Sequence, residues 1–285
     1  MNIGIVIPGF SDGEQDWCIP VYLNLVRTLA QSDSLRVFAM RYPLRRDQYT
    51  VYGAQVIALG GGSYTVGVGR VALIARTIAM IIRQHRIKPF DVLHAIWADE
   101  TGFAACIAGR LIKVPVVVSV AGGELVGLPG YGLQSGRVSA WLVKQALILA
   151  DCVTVPCQYA FDLLPSRQLT SPQPLSANRE RFPEPIANRT AIVPLGVDPI
   201  LFSPSSETRI ENRLLAVGSL SNVKGHDKLL HALAQLPDLS LDIVGEGPLL
   251  SELSTLAETL GVAARVTFHG AVAHDALPRF YRSAA

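Results

Sequence analysis

One lysine carries the strongest chemical signal in this sequence. In VGSLSNVKGHD, residues 217–227, the apolar run Leu214–Val217 stops at Gly218, and Lys224 follows with Gly225 directly behind it. The apolar spacing beyond predicts a helix over Lys224–Gln235 and so places the lysine at a helix N-terminus. Free backbone N–H groups there favour an anion. A cation in that place opposes the helix dipole unless something negative docks. A phosphate satisfies both, and a charge-assisted contact of this kind contributes roughly 1.5–3 kcal/mol. An exposed lysine on a solvated turn explains the same residues equally well, so the stretch alone leaves both readings open.

Other motifs are plainer. Gly245-Glu246-Gly247-Pro248 closes a strand and opens a helix; the glycines permit the turn, and Pro248 suits the first helical position. Gly67-Val68-Gly69-Arg70-Val71-Ala72 matches GxGxxA. It stands well beyond the strand end at Leu59, no acid closes the next strand to hold a ribose, and a Gly-rich loop is the simpler account. Val68 also occupies the place of a Walker lysine. Gly9-Phe10-Ser11-Asp12-Gly13 matches GxSxG, but a nucleophile elbow needs its helix at once, and the helical pattern begins only near Ile19. The segment reads as a loop at a strand's carboxyl end, where ligands gather in parallel sheets. His94 is expected at the end of a strand in DVLHA. A packed or hydrogen-bonded histidine is the commoner role there, though the position keeps it eligible for catalysis. His226 and His231 have the wrong spacing for one helix face, so no metal site is expected. Cys18, Cys106, Cys152 and Cys157 form no CxxC and read as buried or incidental thiols of a reducing compartment.

Strand-length apolar runs alternate with helical periods and must position these residues. Strands are predicted at Ile3–Ile7, Arg36–Met40, Gln55–Leu59, Val92–Ala95, Val116–Val120, Val153–Val155 and Ala191–Val193. Helices are predicted near Ile19–Ala30, Val68–Gln84, Thr101–Leu111, Ser139–Leu149 and Gln158–Leu164. Such alternation implies parallel pairing through right-handed crossovers. A second series follows: strands Leu214–Val217, Leu241–Val244 and Arg265–Phe268, with helices Lys224–Gln235, Leu249–Leu260 and one from near Asp275. The expected class is therefore α/β with two Rossmann-like domains, 1–198 and 199–285, the second incomplete. Residues 165–185, rich in proline and polar residues, are expected to form a long loop.

The 285 residues are 49% hydrophobic and 17% charged, with a formal net charge of +2. That balance suits sheets buried on both faces and provides no basic field for nucleic acid. No run reaches membrane-span length, and MNIGIVIPGF enters a strand pattern without a signal-peptide n-region. The cytoplasm is the expected location, with peripheral contact to the inner membrane surface as an open alternative.

Taken in order, the pieces resemble the family 4 (group 1) glycosyltransferases of the GT-B fold, over nearly the whole chain. IVPLGVDPILFSP (192–204) is similar to the family's linker phrase. LLAVGSLSNVKGHDKLLHAL and LDIVGEGPLLSELSTLAETLGVAARVTFHGAV resemble its first two C-terminal βα units. DVLHAIWADETGFAACIAGRLIKVPVVVSVAGGEL resembles an N-terminal segment. The resemblance implies transfer of a hexosyl group from a nucleotide-diphosphate sugar to a hydroxyl acceptor (a glycan, lipid or small molecule), with retention of configuration and with no metal or other cofactor. It implies donor contacts at Gly218, Ser219, Lys224, Gly225, Gly245 and Gly247, with backbone near His269–Val272 beside the base. It also implies a facing group of Asp12, Gly13, His94, Gly123 and Glu124, with His94 and Glu124 as catalytic candidates. Three departures matter. Ser219 stands where an arginine is usual, Ala121 replaces a histidine with Glu124 standing for the nearby acid, and two further glutamates are expected beyond the last residue. The chain as given is therefore expected to be weak or inactive. A non-catalytic sugar-nucleotide-binding module or partner subunit is the alternative. A dinucleotide-dependent oxidoreductase or an α/β-hydrolase is more remote.

Overall fold

In the computed structural model, which describes residues 1–62, 67–125, 136–164, 186–205 and 209–284, side-chain alternation along the first strand sorts the core into two layers. On β1 (Asn2–Gly9), Ile3, Ile5 and Ile7 face α1 (Pro20–Leu29), where they meet Leu23 and Val26. Val6 faces the opposite layer. The strand is buried from Ile3 onward, as a central parallel strand must be.

Seven further strands complete this sheet: β2 (Ser34–Tyr42), β3 (Arg46–Val51), β4 (Ala54–Leu59), β5 (Val92–Ile96), β6 (Val116–Ser119), β7 (Cys152–Val155) and β8 (Thr190–Ile192). Their order is β3-β4-β2-β1-β5-β6-β7-β8. The pairs are parallel except β3 with β4. The chain runs outward from β1 on both sides, so the carboxyl ends of β1 and β5 flank a topological switch point, the usual ligand crevice of such sheets.

The second layer holds α2 (Val68–Ile87), α3 (Glu100–Ile112), α4 (Arg137–Leu149) and α5 (Gln158–Asp162). Small residues let α3 sit close. A Cβ on Gly109 would fall 2.3 Å from Val116 Cγ2, and one on Gly102 would fall 2.9 Å from Ala146 Cβ. The start of α3 is therefore buried, and Glu100 with it.

A second compact unit begins at Val197 and follows a first that ends at Gly196. Its parallel sheet has the order β11-β10-β9, from β9 (Arg213–Val217), β10 (Ser240–Val244) and β11 (Val266–Gly270). Leu230 and Leu233 of α6 (His226–Ala234) and Leu253 of α7 (Leu250–Thr259) pack on Leu241 and Ile243. Phe202 packs edge-on against His274 and against Tyr281 of α8 (Leu277–Ser283), with ring centroids 5.2 and 5.8 Å away.

Three arginines finish helices. Arg36 donates to Gln84 O and Lys88 O at the end of α2, Arg189 to Leu147 O and Ile148 O at the end of α4, and Arg265 to Leu233 O and Leu236 O at the end of α6. Cations belong there, on unsatisfied carbonyls at the negative pole of the dipole.

Two expectations are corrected. β3 had no counterpart in the periodicity, because RDQYTV is an exposed antiparallel edge strand. It is joined to β4 by a tight turn in which Tyr52 and Gly53 both have positive φ. And α6 begins at His226, not at Lys224, which instead ends a 3₁₀ turn over Asn222–Lys224. The long loop expected over 165–185 lies outside the described residues.

Candidate functional site

In the C-terminal unit the candidate donor residues gather on two loops at strand carboxyl ends. Gly218 and Ser219 leave β9, the 3₁₀ turn follows, and Gly225 in the left-handed region (φ 67°) caps α6. The stem of Lys224 lies along Gly218: a Cβ on that glycine would meet Lys224 Cε, Cδ and Cγ at 3.6–3.8 Å. The lysine is exposed, and among the described residues its ammonium has no hydrogen bond or ion pair. Ser219 is also exposed, with its Oγ 3.2 Å from Ser221 Oγ. The lysine stands one residue before the helix cap, ahead of the first-turn N–H groups of His226 and Asp227, while Lys228 N already donates to Gly225 O at 3.1 Å.

Gly245 and Gly247 have a stricter reason than the turn. A Cβ on Gly245 would fall 2.0 Å from Gly218 O, and one on Gly247 would fall 2.4 Å from Leu220 O. The two loops are laid backbone on backbone, with Leu220 N donating to Glu246 O at 2.9 Å and Leu249 N to Leu220 O at 3.2 Å.

In the N-terminal unit the candidates surround the switch point. Asp12 follows β1 and pairs with Arg45, while Asp16 accepts from the Asp12 backbone N–H at 2.7 Å. Gly13 has nothing within 4 Å of where a Cβ would stand, and neither has Gly123. Glu124 is buried, and its Oε1 accepts from Ala98 N at 3.2 Å and Ala121 N at 3.3 Å. Burial raises its pKa against those hydrogen bonds. The carboxylate thus staples the loop after β6 to the loop after β5.

His94 lies within β5 rather than at its end, a correction to the expected placement. Its Nε2 is 2.7 Å from Ser119 Oγ, which is 2.6 Å from Thr154 Oγ1, in a polar row across three strands. Desolvation pushes its pKa down to about 4, so the ring is neutral at pH 7. That is the arrangement of a packed, hydrogen-bonded histidine.

The most elaborate cluster here gathers around Asp99 and Glu100. Just beyond β5, Trp97 holds a φ of 76°, a conformation that costs a bulky residue on the order of 1–3 kcal/mol. Asp99 then caps α3 by accepting from Thr101 N at 3.0 Å, and burial, with Glu100 beside it, pushes its pKa up to about 6. The Glu100 side chain is 3% exposed and holds two arginines: Arg41 Nε and Nη2 at 2.5 Å on Oε1, and Arg70 Nε at 2.8 Å on Oε2. Arg70 Nη1 also donates to Ser139 Oγ at 2.9 Å. Among the described residues no group of three or more His, Cys, Asp or Glu could hold a metal ion.

A doubly wound α/β unit followed by a second βα unit with paired glycine loops is the build of the GT-B class. Solved structures of similar fold cover nearly the whole chain. Sucrose-phosphate synthase from Thermosynechococcus elongatus has a TM-score of 0.71 at 18% identity, covering 99% of this chain and 73% of that one. Anabaena HepE, solved with UDP and glucose, has a TM-score of 0.63 at 17% identity over 98% and 72%. Residues 19–173 match the glycosyl transferase 4-like domain and residues 202–285 the group 1 glycosyl transferases. The chain belongs to this glycosyltransferase family. A GDP-mannose-dependent alpha-(1-6)-phosphatidylinositol monomannoside mannosyltransferase from Mycolicibacterium smegmatis is 33% identical across 37% of this chain. That match spans 32% of the relative's length.

Proposed function

We propose that this protein transfers a hexosyl group from a nucleotide-diphosphate sugar to a hydroxyl acceptor, with retention of configuration, residues 1–196 serving the acceptor and residues 197–285 the donor. The observation that carries the reading is Lys224: an exposed ammonium with no partner among the described residues, its stem laid over a strand-end glycine, one residue before a helix cap. A diphosphate set there is held by the ammonium and by first-turn N–H groups together. As the glycosidic bond breaks, charge grows on the leaving diphosphate, and a fixed cation that binds it more tightly then lowers the barrier.

Gly218, Ser219 and Gly225 line the same approach, while Gly245 and Gly247 let the second loop support the first. In the N-terminal unit, Glu124 acts as a positioning group that fixes the two loops at the switch point. Asp12, Gly13 and Gly123 remain contacts on that side, and His94 is assigned packing, not proton transfer. The family match and the mannosyltransferase relative support a sugar-nucleotide donor.

The test is a ligand panel on the 1–285 chain by calorimetry, with sugar transfer from UDP- and GDP-sugars assayed beside it. The reading predicts binding of a nucleoside diphosphate and none of NAD. Binding of NAD with no nucleoside diphosphate bound would refute it. Binding without transfer would favour the non-catalytic module.

A further inference from the structure

Arg70 sits at the wrong end of its helix. Arg36, Arg189 and Arg265 each lie at a helix C-terminus on backbone carbonyls. Arg70 is the third residue of α2, in a first turn that contains no acid and follows Gly67. A cation there is opposed by the dipole. The α4 first turn is similar: it follows Gly136, contains no acid, and begins with Arg137. The bond from Arg70 to Ser139, third residue of α4, brings these two turns within one side chain of each other.

Glu100 does not account for this charge by itself. Its one carboxylate is shared by two guanidiniums, and Arg41 alone already occupies Oε1 with a two-pronged contact. Of the five N–H donors of Arg70, the bonds to Glu100 and Ser139 use two, and the rest have no partner among the described residues. Its side chain is 19% exposed, so those donors can be reached. Glu100 fixes both planes from the buried start of α3, which is the preorganisation that forked recognition of an oxyanion needs.

We infer that Arg70, held in place by Glu100 beside Arg41, forms an anion-recognition site in the N-terminal unit, and that the acceptor carries a phosphate that binds there; Arg41, whose Nη1 donates to Gly62 O at 2.9 Å, is a positioning residue. The acceptor assignment rests on the proposed function; the anion site does not. A phosphate takes the outward donors of Arg70 and the first-turn N–H groups of α2 and α4, which places the acceptor near the switch point. Neutral acceptors lack this anchor.

The experiment uses the whole 1–285 chain and two probes, glycerol 3-phosphate and glycerol, with affinities measured by calorimetry. Glycerol 3-phosphate should bind and glycerol should not. Arg70→Gln should weaken binding by about tenfold or more, and Arg70→Lys, which keeps the charge without the fork, and Arg41→Gln, which removes only a neighbouring charge and positioning, by smaller factors. Arg83→Gln, an exposed arginine on the same helix, should leave it unchanged. If an Arg→Gln variant does not fold, Arg70→Lys carries the comparison. Equal affinities in all variants would overturn the site. UDP and GDP are titrated in parallel: failure of both with phosphate binding intact would sink the donor reading and leave the anion site standing.

Discussion

A Cβ on Gly245 would fall 2.0 Å from the carbonyl oxygen of Gly218. Gly245 also has a φ of 143°, which other residues rarely adopt. The loop after β10 therefore lies against the loop after β9 without room for a methyl group. Gly245→Ala should destabilise the C-terminal unit by about 3 kcal/mol or more, from strain and overpacking together. At Gly218 a Cβ meets only the flexible stem of Lys224, at 3.6 Å or beyond. Gly218→Ala should stay within about 1 kcal/mol of wild type in urea unfolding, while shifting Lys224 and weakening nucleotide binding. Equal losses of stability would contradict the backbone contact.

His94 should make stability depend on pH. Its folded pKa is pushed down to about 4 from an ordinary value of 6.5. Between those values the unfolded chain takes up a proton that the folded chain does not, so stability falls as pH drops from 6.5 towards 4. Asp99 works in the opposite direction. Its pKa is raised to about 6, so it favours the folded state more as pH falls from 6 towards 4. The two contributions oppose each other in wild type. In His94→Gln the His94 contribution is gone, and the stability of the variant relative to wild type should rise by roughly 2 kcal/mol from pH 7 to pH 4.5. Urea midpoints at the two pH values measure this, and a pH-independent difference would contradict a His94 held neutral in the folded chain.

Glu124 separates positioning from proton transfer. Glu124→Ala leaves the buried N–H of Ala98 and the half-buried N–H of Ala121 without their acceptor, at about 1–3 kcal/mol. Glu124→Gln retains an acceptor oxygen and should keep most of that stability. If Glu124 positions the loops, the glutamine variant should also keep most of the transfer rate, and only the alanine variant should lose it. Loss of turnover in Glu124→Gln with stability unchanged would assign the carboxylate to catalysis instead.

Most of the strand set was legible because parallel strands buried on both faces leave apolar runs such as Ile3–Ile7 and Leu241–Val244. β3 was not, because its half-solvated edge holds polar residues and its pairing is decided by a turn at Tyr52-Gly53. The Lys224 loop was recognised by its residues, but the helix start was misplaced by two, since Gly225 in the left-handed region interrupts the period before His226. Gly245 and Gly247 were read as turn glycines; their close approach to Gly218 and Leu220 depends on a neighbouring loop that local spacing cannot show. The Glu100 cluster joins Arg41, Arg70 and Ser139 from three separate elements, so no motif announces it. The one available signal was Arg70 itself, a cation just inside a helix start, the same anomaly that drew attention to Lys224.

The central claim is that Lys224 holds the donor diphosphate, and one titration tests it most directly. The affinity of the 1–285 chain for UDP and GDP is measured in wild type, Lys224→Ala and Lys228→Ala. The account predicts that Lys224→Ala weakens the better-bound nucleotide by roughly tenfold, as loss of one charge-assisted contact should, while Lys228→Ala, an exposed side chain in the first turn of α6, leaves it within about twofold. Equal effects from the two substitutions, or no effect from Lys224→Ala, would contradict it.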